Sequence, residues 1–254
     1  MKTIFNKIYV LTIPQNKKRI EFIKYQFNEL GLNFEFIYGT DFGNIKYDAT
    51  GNEIVYPNLY TYLNSNGKDF GCTINHYNAI LQAYEFGYNN VLVIEDDICF
   101  IKDKKLIEHY LNNLPEDADF VTWDPRFWYD DDFNNFYEDL LNTNELYINE
   151  NYKYNFMFGS MMYAIMNRET MKLYLDNQRS MLNISDHVQG LFMNVTVNKY
   201  ICSRCLLTDQ FNIEYNFNYT KQNKAWKNNY KDKENFTRDY FYIPENFQSF
   251  TRTI

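Results

Sequence analysis

Three carboxylates stand in a row at Glu95, Asp96 and Asp97, directly after the apolar run Val91–Ile94 and directly before Ile98, Cys99 and Phe100. Like charges repel, and a carboxylate at the end of a buried strand is costly unless a positive group neutralises it. A divalent cation is the simplest partner, and it then becomes the largest local charge. Strand residues alternate faces, so the spacing predicts Glu95 and Asp97 on one side and Asp96 on the other. That makes an acidic clip at the carboxyl end of a strand, the edge where open α/β sheets take their ligands. Mg2+ or Mn2+ suits such a clip, because hard cations accept one or two carboxylates together with phosphate oxygens. The plainer alternative is a solvated acidic turn. Four aliphatic residues in front of it favour a sheet edge.

Other residues of the same chemistry lie apart in the chain. Arg19 stands at the start of the helix after the first strand, so it falls near a phosphate-bearing ligand if that element meets the acidic triplet. Arg19 has the plain alternative of a solvated helix residue. Asp41 follows the second strand and suits ribose or base hydroxyls, or is a turn residue. His76 is expected near a helix start, where a lone histidine is most often structural. Asp186 and His187 open a late helix: Asp186 is a carboxylate that could act as a general base or simply cap the helix, and His187 could complete a metal shell. Trp123, Trp128 and Tyr129, beside Asp124 and Asp130, suit stacking on a sugar or plain surface packing. Cys202 and Cys205 form half of a zinc motif. The other half would have to come from Cys72, Cys99 or a histidine, none spaced as a second knuckle, which argues against structural zinc.

The elements that must position these groups follow from periodicity. KIYVLTIP is an apolar strand closed by Pro14, and Ile20, Ile23, Phe27 and Leu30 repeat at helical spacing up to the stop at Gly31. NFEFIYGTD alternates as a second strand, completing a βαβ unit. Residues 43–70 read as loop. CTINHYNAILQAYEFGYN is a helix that leads into NVLVIEDDICF, a second βαβ-like step whose strand ends at the acidic triplet. A short helix runs to Leu114, and DADFVTWD is a strand. Residues 128–151 read as an insertion or lid. FMFGSMMYAIMN is a strand or strand pair, RETMKLYLDNQ a helix, SDHVQGLFMNV a short helix, and NKYICSRCLLTDQ holds a strand. The expected fold is α/β, a Rossmann-like mixed sheet flanked by helices. Its single domain covers residues 1–211, and 212–254 form a polar, aromatic tail or wrapping extension.

Composition narrows the function classes. The net charge of −8 argues against a nucleic-acid partner, which needs clustered Lys and Arg. Four cysteines in 254 residues do not make a disulfide scaffold. No run of about 20 apolar residues spans a bilayer, and Ile8–Ile13 is too short for a signal-peptide core. The sequons at Asn183, Asn194, Asn218 and Asn235 are chance products of an Asn-rich chain. The expected location is cytoplasmic, with no transmembrane segment.

The stretch GCTINHYNAILQAYEFGYNNVLVIEDDICF resembles the core signature of glycosyltransferase family 25, which includes lipooligosaccharide β-galactosyltransferases and collagen galactosyltransferases. Asn75 stands before His76 where Ser is more usual. The opening IYVLTIPQNKKRIEFIKYQFNELGLNFEFIYGTDF is similar to the family's first strand, Arg-containing helix start and Asp-Gly turn, although Phe42 separates Asp41 from Gly43. FGSMMYAIMNRETMKLYL, with Gly159 and Ser160, and SDHVQGLF, with Asp186, are similar to its later segments.

The resemblance implies a GT-A-like fold, a metal-assisted UDP-sugar site and an inverting transfer. In that reading Thr12, Arg19, Asp41, His76, Glu95, Asp96, Gly159 and Ser160 bind the donor. Asp97, Glu95 and His187 hold Mn2+ or Mg2+, and Asp186 is the catalytic base. The transferred hexose is galactose or glucose, and the acceptor is a hydroxyl of a glycan or protein. The rivals are another metal-assisted nucleotide-sugar enzyme, disfavoured by the lack of a Gly-rich loop in LTIPQNKKR, and a glycan-binding or structural protein without turnover.

Overall fold

The computed structural model describes residues 1–39, 67–123, 125–127, 145–149, 156–158, 161–178, 197–203, 206–209 and 242–243. Strand β1 (Lys7–Thr12), helix α1 (Lys17–Leu30) and strand β2 (Glu35–Tyr38) form the expected parallel βαβ unit. Gly31 ends α1 in the left-handed conformation at φ 68°, and the amide of Leu32 bonds back to the carbonyl of Phe27. Helix α2 (Gly67–Glu85) begins earlier than its apolar repeat suggests, so residues 67–70 are helical and not loop. It leads into β3 (Val91–Glu95), which pairs in parallel with β1.

The acidic triplet interrupts the strand. β3 ends at Glu95, Asp96 and Asp97 form a turn, and β4 (Ile98–Phe100) starts a separate ladder with β11 (Leu207–Asp209). Helix α3 (Lys104–Asn112) follows, capped by the Asp103 side chain on the Leu106 amide. Next come β5 (Phe120–Thr122), β6 (Pro125–Phe127), β7 (Tyr147–Asn149), β8 (Phe156–Phe158), β9 (Met162–Ile165), helix α4 (Arg168–Gln178) and β10 (Lys199–Cys202). Seven strands make one mixed sheet in the order β2-β1-β3-β9-β5-β10-β7. β9 is antiparallel to both neighbours, and β6 and β8 form a separate ribbon. β7 joins the sheet edge from within the stretch read as an insertion.

Strand alternation explains the two-sided core. Ile8, Val10, Leu92, Ile94, Val121, Met162 and Ala164 face α1 and α3, where Phe22, Ile23, Phe27, Ile107 and Leu111 pack. Tyr9, Leu11, Val91, Val93, Phe120, Tyr163 and Ile165 face α2 and α4, where Ala79, Ile80, Ala83, Met171 and Tyr174 pack. A central strand covered on both faces must be apolar throughout, which is why VLVI shows no alternation. The α/β class and the single domain with a Rossmann-like mixed sheet flanked by helices are as expected. Beyond residue 211, Tyr242 and Ile243 pack into the first of these cores, and the Tyr242 amide bonds to the carbonyl of Phe100. Gln26, fully buried on α1, accepts from the Phe100 amide at 2.6 Å and donates to the Ile98 carbonyl at 3.0 Å. That side chain clamps β4 just past the acidic turn.

Two buried tyrosines set an alkaline limit on this fold. Burial, reinforced by Tyr174, pushes the ionisation of Tyr163 well above the ordinary 10.0. Burial, with Cys202 second, does the same for Tyr147, whose hydroxyl donates to the Tyr110 carbonyl. Above the ordinary value the unfolded chain loses these protons while the folded chain keeps them. Stability is therefore complete below about pH 10 and falls as the pH rises, by about 1.4 kcal/mol per pH unit for each group. Urea unfolding at pH 8.5 and 11 checks the slope, and Tyr163→Phe should flatten it.

Candidate functional site

The site gathers at the carboxyl ends of β1 and β3, which lie side by side with Leu11 opposite Glu95. The turn at Asp96 breaks the alternation that an extended strand would impose. Glu95 goes one way, while Asp96 and Asp97 both meet Arg19. The expected grouping of Glu95 with Asp97 against Asp96 is therefore corrected: the acids divide as one and two.

Asp96 is the hub of the first group. Arg19 Nη1 donates to its Oδ1 at 2.8 Å, and Thr12 Oγ1 and Asn16 Nδ2 donate to its Oδ2 at 2.5 and 3.1 Å. Asn16 occupies the N-cap of α1 but makes no side-chain capping bond, and its side-chain NH2 turns to Asp96 instead. Asp97 Oδ2 lies 3.7 Å from the same Arg19 nitrogen. The Asp96 side chain is 7% exposed and that of Asp97 26% exposed. Asp96 is thus a buried fixture of the protein, and Asp97 is the carboxylate that solvent and ligand can reach. Burial alone would lower the Arg19 ionisation, but Asp97 and then Asp96 outweigh it and hold the guanidinium firmly charged. One guanidinium against two carboxylates leaves the group net negative.

Glu95 leads the second group. Its Oε1 lies 3.0 Å from His76 Nε2 and 3.8 Å from Cys72 Sγ. His76 is fully buried in the middle of α2, not near its start, and its Nδ1 meets the Tyr163 hydroxyl at 3.0 Å. Both ring nitrogens face protein groups, Nδ1 the Tyr163 hydroxyl and Nε2 the Glu95 carboxylate. Asn75, next to it, points its amide at the carbonyls of Thr12 and Ile37, 3.4 Å from each, tying the ends of β1 and β2 together. Gly39 lets Asn75 in: a Cβ there would lie 2.8 Å from the Asn75 amide carbon.

Thr12, Arg19, His76, Glu95, Asp96 and Asp97 are thus brought to one sheet edge. Asp41, Gly159, Ser160, Asp186 and His187 lie outside the described residues, as do Asp124, Trp128, Tyr129, Asp130 and Cys205. The Met161 carbonyl, just before β9, accepts from the Glu95 amide at 2.8 Å. Trp123 is buried in the core and packs edge-on against Phe5 and Tyr147, so it is not available to stack on a sugar. Sequence reasoning did not place Asn16, Asn75 or Cys72 at this site. The fourfold spacing of Cys72 and His76 on a helix was the signal for the last.

The Arg-bound acidic turn stands at the carboxyl edge of the parallel strands, where open α/β sheets take their ligands. The family model for glycosyltransferase family 25 (LPS biosynthesis protein) matches residues 5–191, and the chain belongs to that family. It is a glycosyltransferase. A search of curated proteins finds no match. Among solved structures, the crystal structure of a glycosyltransferase involved in the glycosylation of the major capsid of PBCV-1 is similar. It shares 10% identity at a TM-score of 0.46, over 88% of this chain and 97% of that one. Among the described residues no helix is long and apolar enough to cross a membrane.

Proposed function

We propose that the chain moves a hexose, galactose or glucose, from a UDP-sugar to a hydroxyl of a glycan or protein, with inversion and with help from Mn2+ or Mg2+. The observation that carries this reading is the Arg19–Asp96–Asp97 group at the carboxyl ends of β1 and β3. A hard cation takes one or two carboxylates and fills its shell with phosphate oxygens and water. The partly exposed Asp97 carboxylate fits that need, whereas the buried Asp96 is already occupied by three donors. Glu95 faces Cys72 and His76 and not the Arg19 group, and His187 lies outside the described residues, so the hard-cation assignment rests on Asp97. When bound, the cation would neutralise charge developing on the departing diphosphate.

The chain's own residues have separate tasks. Asp97 holds the negative end of the site in place. Arg19, fixed by Asp96, offers its remaining N–H groups to phosphate oxygens. Thr12 and Asn16 keep Asp96, and through it Arg19, from turning. Asp41, Gly159 and Ser160 belong to the proposed donor contacts on the family resemblance. The attacking hydroxyl must approach opposite the diphosphate, so its base stands on another element, and Asp186 is the proposed base. Asp186→Asn should keep its UDP affinity and lose turnover by at least about 10². A steady-state assay beside a UDP titration checks both halves, and a variant that only melts earlier would make Asp186 a helix cap.

A cytoplasmic setting belongs to the same proposal, since Cys72, Cys99 and Cys202 are not disulfide-bonded. Calorimetric titration with UDP, with and without Mn2+, tests the donor class. Cation-dependent binding supports the proposal, and indifference to UDP would favour a glycan-binding module.

A further inference from the structure

Cys72, His76 and Glu95 offer one sulfur, one nitrogen and one oxygen within 4.8 Å of one another. We propose that they form a binding site for a borderline transition-metal ion of the Zn2+ class, separate from the hard-cation role assigned to Asp97. The local geometry follows from the sequence. Residues four apart on a helix share a face, so α2 presents Cys72 and His76 together. Glu95, the last residue of β3, meets them from the sheet.

The two separations from Glu95 and the ligand chemistry agree with this assignment. Tetrahedral Zn2+ with ordinary bond lengths places a nitrogen and an oxygen ligand about 3.3 Å apart, and a sulfur and an oxygen ligand about 3.5 Å apart. The observed separations are 3.0 Å for His76 Nε2 to Glu95 Oε1 and 3.8 Å for Cys72 Sγ to Glu95 Oε1. Each is within a few tenths of an ångström of the bound geometry. Thiolate and imidazole select Zn2+ over Mg2+ or Mn2+, which favour all-oxygen shells.

The second layer is also in place. A ligating imidazole donates its other N–H to a fixed acceptor, which sets the tautomer. His76 Nδ1 lies 3.0 Å from the Tyr163 hydroxyl. With the metal on Nε2, the single ring hydrogen sits on Nδ1 and is donated to the Tyr163 oxygen, while the Cys72 thiol proton is released. Three protein ligands leave a fourth position, and it opens on the side of the partly exposed Cys72 and Glu95, since His76 is buried. That is the arrangement of a zinc site that keeps water or a substrate group.

Co2+ is the probe, because a thiolate ligand gives it a near-ultraviolet charge-transfer band. The full chain, stripped with chelator, should bind one equivalent of Co2+ with that band, and one equivalent of Zn2+ should abolish it. Cys72→Ser, at a partly exposed position, should fold normally, lack the band and bind Zn2+ at least about tenfold more weakly. Asp97→Asn should keep the band unchanged, which separates this site from the donor-site cation. Absence of a stoichiometric band in the wild-type chain, or a band that survives in Cys72→Ser, would overturn the assignment while leaving the Asp97 proposal untouched.

Discussion

Asp97→Asn is expected to lower cation-dependent turnover of a UDP-sugar by about 10³ or more while leaving the fold intact. The carboxamide keeps the shape of the side chain and removes its charge. Asp97 is the exposed member of the pair around Arg19, and its Oδ2 sits 3.7 Å from the guanidinium, too far for a strong hydrogen bond. Losing that contact costs the fold little, about 1 kcal/mol or less. Losing the charge removes the anchor assigned to the cation, and with it the neutralisation of the leaving diphosphate. Steady-state rates over a Mn2+ titration, paired with thermal melts, check both halves. A variant with wild-type turnover at equal Mn2+ would remove Asp97 from the mechanism.

Asp96→Ala should do the opposite in the first instance: it should unfold the protein more easily by about 3 kcal/mol. Asp96 is buried and accepts from Thr12, Asn16 and Arg19. Its removal leaves three donors to find new partners and a part-buried guanidinium with Asp97 alone. Asp96→Asn keeps the volume and one acceptor oxygen, so its penalty should be roughly half as large. Urea midpoints for the two variants and for Asp97→Asn should therefore fall in the order Ala, Asn, then Asp97→Asn nearest wild type. Equal midpoints for Asp96→Ala and wild type would mean that the Arg19–Asp96 pair contributes nothing net. Turnover should also fall in both Asp96 variants, because Arg19 loses the group that fixes its direction.

Much of this framework was legible in the chain. The helical repeat of Ile23, Phe27 and Leu30 and the stop at Gly31 place α1, and the uninterrupted VLVI run places a central strand buried on both faces. The first turn of α2 was not legible, because Gly67, Lys68 and Asp69 carry no apolar signal of their own. The end of a strand at the acidic triplet was legible, but the separate ladder of β4 was hidden for a different reason. VLVIEDDICF contains no Gly or Pro, and only tertiary pairing shows that Ile98–Phe100 leaves the main sheet to meet Leu207–Asp209. That one break undid the alternation argument for the acidic triplet. The triplet and Arg19 could be named from residue type, but which acid meets which partner depends on the turn. Cys72 was passed over because its neighbours His76 and Glu95 are assembled across a helix and a strand, not along a cysteine motif.

The most direct test of the central claim is hexose transfer itself. UDP-galactose and UDP-glucose should be offered with a panel of glycan and peptide hydroxyl acceptors, and UDP release and product formation followed in Mn2+ and in chelator. The account predicts acceptor-dependent release of UDP from one of the two donors, with stoichiometric glycosylated product, in Mn2+ only and absent in Asp97→Asn. Acceptor-dependent transfer that proceeds equally in chelator and in Asp97→Asn would contradict it.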